Sequence, residues 1–73
     1  MTGKERIEKC REIVAEHQAE SIDGVLMDSF TASAVVQVYD ALNDENKARI
    51  EKVMGEDIVK ATNIVWKVVN KAS

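Results

Sequence analysis

Over residues 4–19 the apolar positions Ile7, Cys10, Ile13 and Val14, with His17 continuing the row, recur at three and four residues. That spacing lines one face of an α-helix. The five positions fall within an arc of roughly 120°, the width of a single core-facing stripe, with Glu, Lys and Arg on the remainder. The pattern breaks over residues 20–28, where Asp23-Gly24 signals a turn and Val25, Leu26 and Met27 form a short apolar run. A turn and a short extended connector at 25–27 are expected there, with no strand pairing beyond that piece. Asp28 or Ser29 can then cap a second helix over residues 30–42. Only Ser33, Gln37 and Asp40 interrupt its apolar surface, so it is expected at the centre of the fold.

Asn43 and Asp44 supply the next N-cap, and Asp44 and Glu45 suit the positive end of a third helix with Ile50, Val53 and Met54 on its apolar face. Gly55 is expected to end that helix in left-handed geometry, with Glu56 or Asp57 starting the fourth. The fourth helix, over residues 57–72, carries two interleaved rows: Ile58, Ala61, Val65, Val68, Ala72, and Val59, Thr62, Trp66, Val69. Together with Ile64 they span roughly 220° of arc, about twice what one core face requires. The alternation Ile64, Trp66, Val68 and the β-branched content argue for a strand here, but the length and the three-four spacing favour a helix. The expected fold class is thus all-α: a compact bundle of about four helices forming a single helical domain over residues 1–73.

Composition narrows the functional classes. At 73 residues the chain buries about 60% of its unfolded surface, and 45% apolar residues are too many for a disordered segment. The single cysteine cannot form an internal disulfide, no apolar run reaches a bilayer-spanning length, and the N-terminal bases are interleaved with acids and lack an apolar stretch. A cytoplasmic protein is expected, neither exported by an ordinary signal peptide nor inserted in a membrane. The net charge of −3 is divided so that residues 1–42 hold four bases against eight acids, and residues 43–73 six against five. Neither half offers the strongly basic face that phosphate contacts favour.

Candidate chemistry is sparse. Cys10 and His17 lie two helical turns apart, about 10 Å, too far for a shared metal ion, and no other Cys or His completes a set. Ser29 or Ser33 would need that same His17, on another element, as its base. Acid pairs such as Glu12 with Glu16, Glu16 with Glu20, and Asp23 with Asp28 read as solvated helix faces, caps and turns. Gly24 and Gly55 are isolated and form no phosphate-binding loop, and EF-hand spacing is absent. No enzyme activity, cofactor, metal or small-molecule substrate is expected.

What remains is the apolar excess of the fourth helix. Val59, Thr62, Trp66 and Val69 are the expected interface with another chain, because tryptophan is enriched at contact centres. A homodimer or another protein partner is expected, with a small helix-turn-helix regulator of DNA as the alternative. Against that alternative, Glu56 and Asp57 would face phosphates and Lys60 is the only base in the first two turns.

The stretch IDGVLMDSFTASAVVQVYDALN, residues 22–43, resembles small uncharacterised helical proteins encoded by bacteriophages of actinobacteria. It covers the middle third of the chain and includes no catalytic motif. The resemblance implies a protein made in the cytoplasm of an infected bacterium, where small acidic chains act by binding host or phage proteins.

Overall fold

The computed structural model describes residues 1–72. Helix α1 spans Gly3–Glu16. Thr2 accepts from the backbone N–H of Glu5 at 3.1 Å, while the Glu5 carboxylate accepts from the backbone N–H of Thr2 at 3.0 Å. This reciprocal box satisfies two amides that the first helical turn leaves without partners. Ile7, Cys10 and Ile13 are buried as the spacing requires. The helix is shorter than expected: His17 adopts left-handed geometry at φ 55°, its N–H donates to the Val14 carbonyl at 3.3 Å, and its side chain is exposed. His17 therefore ends the helix rather than extending its core row to Ala19.

Residues 20–28 hold a paired hairpin in place of the expected connector. Strands β1 (Glu20–Ile22) and β2 (Val25–Met27) run antiparallel in the register Glu20 to Met27, Ser21 to Leu26 and Ile22 to Val25. Asp23 at φ 48° and Gly24 at φ 85° are both left-handed, as a two-residue hairpin loop with the native strand twist demands. Ile22 and Met27 are buried on the inner face, whereas Ser21 and Leu26 point outward. The hairpin closes the core between α1 and α2.

Helix α2 covers Ser29–Ala41 and is capped by Asp28, which accepts from the Thr31 N–H at 2.6 Å. Helix α3 covers Asp44–Glu56, with Asn43 accepting from the Asn46 N–H at 2.9 Å. Helix α4 covers Ile58–Ala72 and begins after a single intervening residue, Asp57, which accepts from the Lys60 N–H at 3.1 Å. The helical reading of residues 57–72 thus holds against the strand-like alternation.

Gly55 differs from its expected role. It has no positive φ, and α3 continues through it to Glu56. Its purpose is close approach: a Cβ on Gly55 would lie 3.1 Å from the Gly3 backbone nitrogen, and one on Gly3 would lie 1.6 Å from the Glu51 carbonyl oxygen. The start of α1 crosses the end of α3 at backbone contact. Arg6 locks the crossing, donating through Nη1 to the carbonyls of Met54 at 2.7 Å and Gly55 at 3.2 Å, and through Nε to Asp23 of the hairpin turn at 3.0 Å.

Helix α1 packs on α2 and α3, and α4 packs on the same two helices, while α1 and α4 scarcely meet. The four helices therefore close a ring with α1 and α4 at opposite corners. Their buried side chains and those of the hairpin form one cluster, centred on Ile7, Ile13, Ile22, Met27, Val35, Met54 and Val65. Helices α2 and α3 each touch all three other helices, so the central place expected for α2 is shared with α3. In the first turn of α2 Ala32 is buried, whereas Phe30 points away from the core and is 83% exposed.

Candidate interaction surface

Helix α4 meets the core through Ile58, Ala61 and Val65, each almost wholly buried. The expected interface row divides around this stripe. Thr62 is half-buried and its hydroxyl donates to the Val59 carbonyl at 2.8 Å, and Val69 is half-buried against the core. Val59 remains 53% exposed and Trp66 36% exposed. Seven residues apart, they stand about 10 Å from each other on one flank of the helix. The bundle thus covers Thr62 and Val69, leaves Val59 more than half exposed, and leaves Trp66 with about a third of its surface in solvent.

A second apolar feature lies on the opposite flank of α4. Ile64 and Val68 join Val38 of α2, Leu42 at the α2 C-cap, and Ile50 and Val53 of α3 around a cleft of about 230 Å³ that Asn46 and Arg49 also line. A neighbouring depression shares Val38, Leu42 and Val68 and reaches Val69. Ile64 hints at this side by standing off both heptad rows. The six apolar residues around the cleft come from three helices and the C-cap of α2, so their convergence appears only once the helices are packed.

The charges on α4 are one-sided. Lys60, Lys67 and Lys71 are exposed, and all thirteen acidic residues of the chain lie outside this helix. On α1 the outer face is acidic, with Glu5, Glu8, Glu12 and Glu16 all exposed opposite the buried Ile7, Cys10 and Ile13.

The residues considered for catalysis occupy structural posts. Cys10 is buried, and desolvation of the thiolate pushes its pKa up to about 11, so it is a protonated packing thiol at neutral pH. His17, Ser29 and Ser33 do border one shallow depression between α1 and α2. No hydrogen bond joins His17 to either serine, and Ser33 accepts from the Gln37 amide at 3.1 Å instead. Asp28 is a cap and Asp23 an ion-pair partner of Arg6, while Glu12 and Glu20 pair with Lys9 at 3.2 and 3.9 Å. Among the described residues no group of three or more His, Cys, Asp or Glu is placed to hold a metal ion, and no helix is long and apolar enough to cross a membrane.

The polar cluster at the junction of α1, α2 and α3 is likewise a brace. The Tyr39 hydroxyl donates to Glu51 at 2.9 Å, and Arg11 grips Asp40 with both guanidinium NH₂ groups, one at 3.0 Å. Arg11 and Lys47 sit over the Tyr39 ring, 5.9 and 5.4 Å from its centroid. The Arg11 hydrogen bond holds the Asp40 carboxyl below the usual carboxylate range, and desolvation followed by the Glu51 contact raises the Tyr39 phenol. Comparison with protein families, curated proteins and solved structures finds no match.

Proposed function

We propose that this chain is a helical protein-protein interaction module that pairs with a second copy of itself through the Val59 and Trp66 flank of α4. The observation that carries the reading is the exposure left on Trp66 and Val59 after α4 has buried Ile58, Ala61 and Val65. In a two-fold contact the same strip serves both copies, so Val59, Thr62, Trp66 and Val69 would pack near their own counterparts. The resemblance of residues 22–43 to phage proteins supports the cytoplasm of an infected bacterium as its setting, with a host or phage protein as the further partner. The place of Cys10 as a buried packing thiol supports a binding role over a catalytic one.

The second reading is a nucleic-acid-binding regulator, and the observation in its favour is the exposed lysines of α4. Three lysines neutralise about three phosphates, a small part of what sequence-specific regulators use. Trp66 is the only tryptophan of the chain, so its fluorescence reports directly on the proposed contact. On dilution from roughly 100 μM to 1 μM, a range that brackets ordinary weak dimers, its emission should move to longer wavelength as the indole returns to water. Emission that stays constant over this range contradicts pairing through Trp66.

A further inference from the structure

Lys60, Lys67 and Lys71 follow one another at intervals of seven and four residues, so they form a single ridge directed away from the buried Ile58, Ala61 and Val65. On α1, Glu5, Glu12 and Glu16 follow at the same intervals of seven and four, and they too stand opposite the buried stripe of their helix. Each ridge spans eleven residues, roughly 16 Å. The two helices occupy opposite corners of the ring, so the ridges face away from each other and cannot meet within one chain.

We propose that the lysine ridge of α4 in one copy seats on the glutamate ridge of α1 in another, a head-to-tail contact between copies of this chain. With the two helices side by side and parallel, the equal intervals bring Lys60 opposite Glu5, Lys67 opposite Glu12 and Lys71 opposite Glu16. An antiparallel arrangement loses this register, because the intervals then run seven and four against four and seven. The three glutamates remain exposed beside their local contacts: Glu5 accepts from the Thr2 N–H, and Glu12 accepts at 3.2 Å from Lys9, which is half-buried between Glu5 and Glu12. Since the two surfaces differ and point in opposite directions, a pair joined in this way keeps one ridge unused on each copy, the glutamate ridge on one and the lysine ridge on the other. The contact therefore adds further copies rather than closing into a ring of two.

Exposed lysine and glutamate pairs are individually weak, so the association depends on ionic strength. The screening length falls from about 30 Å at 0.01 M salt to about 3 Å at 1 M. This separates it from pairing through Trp66, which is apolar and survives high salt.

The test is sedimentation velocity at roughly 100 μM protein in about 0.01 M and about 0.5 M salt, on the intact chain, K67E, E12K and their equimolar mixture, with circular dichroism confirming that each variant is folded. The expected result is an average mass that rises at low salt for the intact chain, fails to rise for either variant alone, and rises again in the mixture, where each altered ridge meets its complement. A mass independent of salt, a rise retained by either variant alone, or a mixture that does not recover would overturn the proposal. So would a DNA duplex that binds the intact chain and E12K but not K67E while no self-association is seen, since the ridge would then serve phosphates. Loss of salt-resistant dimer in W66E with the low-salt rise retained removes only the apolar pairing.

Discussion

Arg6 donates to the carbonyl of Met54 at 2.7 Å across 48 positions of chain, and the same guanidinium reaches Asp23 in the hairpin turn. One half-buried side chain thereby satisfies carbonyls at the end of α3, joins that end to α1 and fixes the hairpin. A charged hydrogen bond of this kind contributes about 1.5 to 3 kcal/mol, and its loss leaves carbonyls at the helix end unsatisfied. Arg6→Ala should lower the free energy of unfolding by about 2 kcal/mol, measured by urea denaturation. Arg6→Lys should recover only part, because an ammonium cannot serve two carbonyls and a carboxylate with the planar fork of arginine.

The glycines differ in what they provide, and substitution separates the roles. Gly24 has φ 85° and a Cβ added there would meet nothing within 4 Å, so Gly24→Ala should cost about 1 to 2 kcal/mol from conformation alone, and Gly24→Asn less. At Gly3 the added methyl would meet the Glu51 carbonyl oxygen at 1.6 Å, and relief requires α1 and α3 to move apart. Gly3→Ala should therefore cost about 3 kcal/mol or more. Thermal unfolding of the three variants checks the order.

These two roles for glycine explain where the sequence can be read and where it cannot. Helix α4 is legible from Ile58, Ala61 and Val65, whose spacing depends only on helix geometry, and the caps at Asp28, Asn43 and Asp57 are legible because capping is local. Gly55 looks locally like a helix stop, and only the packed neighbour Gly3 reveals that it serves close approach. Strand β1 is hidden because Glu20 and Ser21 carry no strand preference and pair only through the Asp23-Gly24 turn. At the candidate surface, the outward placement of Val59 and Trp66 follows from the width of the apolar arc. Thr62 and Val69 lie nearer the Ile58, Ala61 and Val65 stripe on the same helix and lean inward for that reason, whereas the cleft beside Ile64 depends on α2 and α3 and cannot be read from α4 alone.

Acid should weaken the fold through its caps and braces. The backbone N–H of Thr31 lowers the pKa of Asp28, and Arg11 lowers that of Asp40. Groups held below their unfolded values stabilise fully above the unfolded pKa near 4, and that contribution is lost as pH falls through the folded value. Urea midpoints should fall on acidification below about pH 4. Asp28→Ala, which removes the cap at all pH values, should cost about 1 kcal/mol at neutral pH and show a shallower acid dependence.

At the alkaline end the sign reverses. Cys10 is raised from 9.0 to about 11 by burial, so the folded state favours the thiol, and its contribution is present below pH 9 and lost as pH rises towards 11. Tyr39 is also raised and acts in the same direction. Unfolding midpoints should decline over this interval, and less so in Cys10→Ala relative to its own neutral value. At neutral pH Cys10 should react with a thiol reagent only as fast as the protein opens, so that urea accelerates labelling.

Pairing through Trp66 is tested most directly by sedimentation equilibrium of the intact chain and W66E in about 0.5 M salt, which screens the charged ridges. Truncating a tryptophan at a contact centre costs about 2 kcal/mol or more, equivalent to roughly a 30-fold loss of affinity. The account predicts a dimer for the intact chain at tens of micromolar, a concentration at which weak dimers are populated, and a monomer for W66E with its helical content unchanged. An intact chain that sediments as a monomer, or a dimer that W66E leaves undisturbed, would contradict it.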